Sequence, residues 1–245
     1  MELTQKKFET ERAKLSAESM TPADTNSATT QLSIDYVTAD VIGVSYATMA
    51  GNQPNTYGNY IALWQNTESI PWNTEPLKMQ SIDTNTPAGS TNFTGLTVTN
   101  NSYIIGYAVS PSLEGDRQKQ GNICATGYIP ASGQANQYPA FAPSLQMQHV
   151  GVNSIAVGFN LPSGVLPQTN NAWIGIWRSQ QGSYNNPPLA SNNIQVNASS
   201  GTAFINSIEI GRGLTYTVAL FTSGWKGANS PSDQHPMACS VTFTN

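Results

Sequence analysis

Two histidines, two cysteines and a thin supply of carboxylates are all the conventional catalytic equipment in this 245-residue chain. His235 lies in the loop Ser230-Pro-Ser-Asp233-Gln-His235-Pro236, where Asp233 is near enough in sequence to pair with it. An Asp–His pair in a serine-rich chain is the beginning of a hydrolytic triad, but no Gly-x-Ser-x-Gly elbow supplies the nucleophile. His149 falls at an alternating strand position and reads as a packed or rim side chain. Two isolated histidines and two distant cysteines do not make a tetrahedral zinc site. Asp83-Thr84-Asn85 starts like a calcium loop but lacks the later glycine and the bidentate glutamate. Asp35 and Asp40 flank a tight strand connection and could join backbone carbonyls around a cation. Hydrogen bonding within the turn is the simpler use of both. The expectation is a protein that is not an enzyme, with no cofactor and no metal.

What remains is aromatic. Trp72 and Trp225 stand in loops, Ser69-Ile-Pro-Trp72-Asn73-Thr-Glu75-Pro and Thr222-Ser-Gly-Trp225-Lys226-Gly-Ala-Asn229. A large ring beside amide and charged groups offers an apolar face and a polar edge, which suits a sugar. The candidate ligand-binding residues are therefore Trp72, Asn73, Glu75, Trp225, Lys226 and Asn229. The same rings would alternatively fold back to cap a sandwich end. Trp64 and Trp177 alternate along strands and read as packing.

The elements that position these residues come in two copies. Leu32-Ser-Ile34-Asp-Tyr36-Val37 returns as Leu145-Gln-Met147-Gln-His149-Val150, and Ile42-Gly-Val44-Ser-Tyr46 as Ile155-Ala-Val157-Gly-Phe159. Tyr60-Ile-Ala62-Leu-Trp64 returns as Trp173-Ile-Gly175-Ile-Trp177, Pro76-Leu77 as Pro188-Leu189, Phe93 as Phe204, and Tyr103-Ile-Ile105 as Tyr216-Thr-Val218. Cys124 matches Cys239. The offset drifts only between 111 and 115 residues, so insertions are small and belong in loops. Such a spacing describes a duplicated domain, since solenoid repeats recur every ~20–50 residues. Equivalent cysteines on equivalent strands would bridge only if those strands abutted, so two free thiols are expected.

Each copy alternates short apolar strands with turn formers such as Asn-Gln-Pro, Leu-Pro-Ser-Gly and Asn-Asn-Pro-Pro. Strands are predicted near 32–38, 41–48, 59–65, 77–82, 92–99, 103–109 and 123–129, and again near 145–152, 154–160, 172–178, 189–196, 202–210, 214–222 and 237–243. Seven short strands in about 100 residues make an antiparallel sandwich of immunoglobulin-like type. The segment Ala172-Trp-Ile-Gly-Ile-Trp177 resembles the Trp-Ile-Gly-Ile/Leu strand of SKICH-type immunoglobulin-like domains. The resemblance covers six residues, copy one departs from it at Tyr60 and Ala62, and it implies a sandwich and nothing functional.

The fold class predicted is thus all-β, two tandem immunoglobulin-like antiparallel sandwiches from an internal duplication, with a short N-terminal helical arm. The division is 1–31 for the arm (a helix over 1–19 with Met1, Phe8 and Leu15 on one face, then a polar linker), 32–130 for copy one, 131–144 for a proline-containing linker and 145–245 for copy two. Eight charged side chains fall in the first 19 residues and only 16 in the other 226, so the surface draws its polarity from Asn, Ser, Thr and Gln. With a net charge of −4 and no basic stripe, nucleic acid is not an expected partner. No apolar run reaches the ~18 residues of a spanning helix. Met1–Phe8 lacks an apolar core behind its charged start, so no conventional leader is expected in this chain and its place would be cytoplasmic or reached by a non-classical export route. Three Asn-x-Ser/Thr sequons, at Asn92, Asn100 and Asn197, are no more than 24 asparagines supply by chance.

Three functional classes remain. The first is a non-catalytic binding or adhesion protein, carbohydrate-binding in a lectin-like way through the loop aromatics, with a glycan or cell-surface ligand as partner. The alternative is a self-assembling structural subunit (filament, coat or inclusion protein) that associates through the N-terminal arm and open sheet edges. A β-type pore-forming toxin is the third; its candidate hairpin, 202–222, belongs to the repeated core.

Overall fold

The computed structural model describes residues 25–98, 100–131, 138–228 and 230–245, and these contain strands and no helix. The described chain opens with β1 (Thr25–Thr29), which runs with a one-residue break into β2 (Gln31–Val37). There follow β3 (Ile42–Ala47), β4 (Tyr60–Gln65), β5 (Lys78–Ser81), β6 (Ala88–Phe93), β7 (Tyr103–Ala108) and β8 (Ile123–Ile129). A two-residue strand, β9 (Ala140–Phe141), leads into β10 (Ser144–Val150), β11 (Ser154–Asn160), β12 (Trp173–Trp177), β13 (Ala190–Asn193), β14 (Ser200–Asn206), β15 (Thr215–Phe221) and β16 (Met237–Thr244).

Two sheet pairs result. In the first, the sheet β2-β3-β6 faces β5-β4-β7-β8-β9; in the second, β10-β11-β14 faces β13-β12-β15-β16-β1, and every pairing is antiparallel. Period-two alternation fills each core. Leu32, Ile42, Val44, Tyr46 and Phe93 meet Ile61, Leu63, Ile105 and Tyr107 in the first sandwich. Leu145, Ile155, Val157, Phe159 and Ile205 meet Ile174, Ile176, Val218 and Leu220 in the second. Each fully buried aliphatic or aromatic side chain contributes about 1.5–3 kcal/mol by leaving water. The β2-β3-β6 and β10-β11-β14 sheets keep a wet outer face, whereas β4, β7, β12 and β15 are buried on both faces.

The second face is covered by loop side chains, Ile70 and Trp72 over β4 and Met49, Tyr57 and Tyr184 over β12 and β15, and the sandwiches also exchange strands. β1, which precedes the first sandwich, pairs along its whole length with β16 of the second, from Thr25↔Phe243 to Thr29↔Cys239. β9, which precedes the second, pairs with β8 of the first. Each sandwich thus borrows an edge strand from the segment that leads into the other.

Several expectations are corrected. The helix expected over 1–19 lies outside the described residues. Of the polar linker expected to follow it, 25–29 is a strand, because the free edge of β16 supplies hydrogen-bond partners that these polar residues could not arrange alone. Within the expected linker 131–144, 140–141 is likewise a strand; 132–137 lie outside the described residues. β6 runs over Ala88–Phe93 rather than 92–99, so the turn-like Pro87-Ala88-Gly89 largely enters a strand. The reason is steric: Gly89 pairs with Tyr46, and a β-carbon there would lie 2.8 Å from the Tyr46 hydroxyl. Gly201 opposite Phe159 repeats the arrangement, an aromatic ring laid across a cross-strand glycine. The counterpart of Phe93 is Ile205, not Phe204. Ile42 pairs with Phe93 and Ile155 with Ile205, whereas Phe204 is 51% exposed.

Candidate functional site

Trp72 and its neighbours occupy the loop between β4 and β5. The ring is only 9% exposed and its Nε1–H donates to the Ser163 carbonyl of the second sandwich at 3.1 Å. It joins Tyr60, Trp64 and Ile70 in an apolar cluster continuous with the core of the second sandwich. Asn73 Oδ1 accepts from the Lys119 amide at 3.0 Å, and Glu75 is paired with the Lys119 ammonium. This half of the expected site holds structure together at the junction; its ring does not stand open to a ligand.

The junction is pseudo-symmetric. Tyr184, 112 residues after Trp72, stacks on Tyr57 of the first sandwich with centroids 5.3 Å apart, and Tyr57 stacks on His235 at 4.2 Å. Asn170, 113 residues after Tyr57, meets Gln118: its Nδ2 donates to Gln118 Oε1 at 3.1 Å, and its Oδ1 accepts from the Gln118 amide at 3.0 Å. Gln118 also accepts from the Leu166 amide at 2.7 Å and donates to the Gly164 carbonyl at 2.9 Å. Thr222 donates to Asn122 Oδ1 at 2.8 Å across the same boundary. Buried amides need such partners, since an unsatisfied one costs about 1–3 kcal/mol. Asparagine and glutamine, read in the sequence as surface, are therefore partly interior. The repeat offset was the signal that could have found Tyr57, Tyr184, Gln118 and Asn170.

The second loop is different. Trp225 is half-buried, its ring 6.1 Å from that of Trp173, and its amide donates to the Asn171 carbonyl at 3.0 Å. Trp173 itself is fully buried, stacked on Phe221 at 4.0 Å, with Nε1 bonded to the Ser223 carbonyl at 3.0 Å. Beside it opens a groove of about 280 Å³ whose walls include Pro187, Pro188, Ser191, Ser232 and Gln234. The Lys226 amide donates to Ser232 Oγ at 3.1 Å, shaping the loop. Asn229 lies outside the described residues. The structure thus leaves the Trp72 and Trp225 groups as separate sites.

The remaining candidates fall into place as local structure. Asp35 accepts from Ser45 Oγ at 2.8 Å and Asp40 from Thr38 Oγ1 at 3.0 Å. Asn85 Oδ1 accepts from the Thr56 amide at 3.0 Å. His149 is exposed on β10. His235 Nδ1 lies 3.1 Å from Asp233 Oδ1, which also accepts the His235 amide at 3.0 Å. Among the described residues no three of His, Cys, Asp and Glu gather as metal ligands.

Cys124 and Cys239 are both free and fully buried. Burial pushes the Cys124 thiol up to about 12 and the Cys239 thiol well above its usual value. Two thiols are expected on denaturation and none titrating in the native protein at neutral pH; a count of zero in unfolded, unreduced monomer would contradict the free pair. In the unfolded chain the thiols ionise near 9.0. Stability from their neutral burial is therefore complete below about pH 9 and declines as pH rises toward 12. A urea midpoint that holds constant over that interval would contradict the assignment.

No family model matches the sequence, and no curated protein matches it either. Solved structures resemble the chain weakly. A DUF3823 family protein from Bacteroides uniformis ATCC 8492 is 10% identical, with 87% of this chain and 96% of that one covered, at a TM-score of 0.31. The BSP domain of a biofilm associated protein is 14% identical over 90% of this chain and 29% of that one, at 0.24. The chicken CNTN1 FN1–FN3 domains are 8% identical over 93% of this chain and 64% of that one, at 0.26. At such scores the functional reading stands on the residues themselves.

Proposed function

We propose that this is a non-catalytic binding protein of the adhesion type, and that it takes a neutral carbohydrate into the groove beside Trp173 and Trp225. The observation that carries the reading is the groove's lining: Pro187, Pro188, Pro231 and Ala228 give apolar walls over the buried Trp173, and serine and glutamine give a polar rim, with no charged side chain among them. Sugars present apolar C–H faces to such walls and hydroxyls to such rims. A single shallow groove of this size binds weakly, and adhesion then depends on several copies engaging one surface.

The test is calorimetric titration with a defined set of neutral oligosaccharides, repeated on Ser191→Tyr, which fills the groove, and on Trp225→Ala. At least one sugar is expected to bind, with affinity falling about tenfold or more in Ser191→Tyr, the equivalent of about 1.4 kcal/mol. The thermal midpoint of Ser191→Tyr should stay within a few degrees of the parent. Absence of binding to every sugar, or full affinity in the filled groove, would overturn the reading. Growth in particle size with concentration, without sugar binding, would favour the self-assembling subunit, for which β1, β13, β5 and β9 are the outer strands of the larger sheets.

A further inference from the structure

A second cleft lies on another side of the loop that forms the neutral groove. The loop from 222 to 236 sends Ser230, Ser232 and Gln234 to the groove, and Gly224, Lys226, Asp233 and His235 to a cleft of about 490 Å³. The facing wall comes from the equivalent loop of the first sandwich, which contributes Ser110, Ser112 and Arg117. The cleft exists only because the two sandwiches are docked.

Its chemistry is unlike the rest of the molecule. Only six lysines and arginines lie in residues 25–245 (Lys78, Arg117, Lys119, Arg178, Arg212 and Lys226), and two of them line this one cleft. Arg117 is anchored through Nε to the Glu114 carbonyl at 3.0 Å, leaving its terminal nitrogens for the cleft. Neither Arg117 nor Lys226 enters an ion pair with a described residue. Asp233 is the one lining carboxylate, and it is occupied by His235; Glu114 and Asp116, on the same loop as Arg117, are not part of the lining. Ser110 lines the cleft and is 7% exposed, and its hydroxyl makes no hydrogen bond to a described residue.

We propose that this cleft binds the carboxylate of an acidic sugar, with Arg117 and Lys226 as the cationic contacts and Ser110 as a hydroxyl contact. A guanidinium and an ammonium with no ion-pair partner among the described residues suit one carboxylate through charge-assisted hydrogen bonds. Ser112 and Ser223 line the same cleft with neutral hydroxyl groups of the kind a polyol engages. The walls are loops rather than an open strand edge, so an extended acidic peptide would find no ladder to join. The site does not depend on the neutral groove, and the two are tested apart.

Sodium glucuronate, glucose and sodium acetate are the probes, followed by ligand-observed NMR and calorimetry on the full chain. Glucuronate is expected to bind in about the millimolar range, as a small ligand in an open cleft would, acetate more weakly and glucose not detectably in this cleft. In the double variant Arg117→Gln/Lys226→Gln the glucuronate affinity should fall about tenfold or more, with the thermal midpoint unchanged and with Arg212→Gln behaving as the parent. Ser191→Tyr should leave glucuronate binding intact. Loss of glucuronate binding in Ser191→Tyr would place the sugar in the groove and overturn the proposal. So would undetectable glucuronate binding by the parent, or full affinity in the double variant. Failure of the neutral sugars alone would sink the groove reading and leave this one standing.

Discussion

A chain that begins at Thr30 is expected to unfold at distinctly lower urea than the full chain, with the loss concentrated in the second sandwich. β1 pairs with β16 at five consecutive positions, and the ladder continues through the Thr30 amide to the Ala238 carbonyl at 3.0 Å. Removing the strand strips the partner groups from one edge of β16 and opens the shallow pocket that Asn26, Ser27 and Ala28 share with Met49 and Met237. Each lost backbone bond is worth about 1 kcal/mol net, and the released segment regains conformational entropy, so the expected cost is about 2–4 kcal/mol. That is a large part of the ~5–15 kcal/mol that holds an ordinary domain folded. Amides of β16 should exchange fastest in the shortened chain, while those of β3 stay protected. A chain that begins at Asp24 keeps β1 and serves as the control; equal midpoints for the two truncations would show that β1 adds no stability. The exposed β16 edge should also raise association, whereas an arm that carried self-association would lower it on removal.

The contrast shows where sequence reading has purchase. The all-β character was legible because Ile42, Val44 and Tyr46, and Ile155, Val157 and Phe159, alternate strictly. β1 and β9 were not. Thr-Asn-Ser-Ala-Thr and Ala-Phe carry no apolar alternation, and they become strands because another strand's edge is waiting for them; strand formation is decided by neighbours more than by intrinsic preference. The misplaced β6 has a related cause. Gly89 looks like a turn former until the ring of Tyr46 is seen lying over it from the next strand. At the candidate site the limit was burial. Nothing in Ser69-Ile-Pro-Trp72-Asn73 tells whether the ring faces solvent or a second sandwich, since a binding loop and a docking loop share the same composition. The amides of Gln118 and Asn170 were hidden for the same reason, because their partners come from the other copy.

Trp72→Ala therefore tests the docking more sharply than it tests any ligand. As a ligand contact, Trp72 would cost sugar binding and little stability on substitution; as a ring buried at the joint, it is expected to do the opposite. The indole is buried between the sandwiches and bonded to Ser163, so truncation leaves a cavity that stiff loops cannot close, at an expected cost of about 3–5 kcal/mol. Trp72→Phe keeps most of the volume and gives up the hydrogen bond, which sets its cost nearer 1 kcal/mol. The loop opposite is shaped for this ring: Gly164 holds φ +81°, and a β-carbon there would lie 2.9 Å from Trp72 Nε1. Gly51, its equivalent 113 residues earlier, holds φ +84° against Tyr184, the counterpart of Trp72. A glycine and an aromatic at matching places in both halves of the chain, each aromatic reaching toward the other sandwich, describe a docking contact present on both sides of the joint. Urea unfolding and sugar titration on the same variant separate the outcomes. An unchanged midpoint with lost sugar binding would return Trp72 to the ligand site. A lowered midpoint with sugar binding kept at temperatures where the variant is folded would fix it as part of the joint.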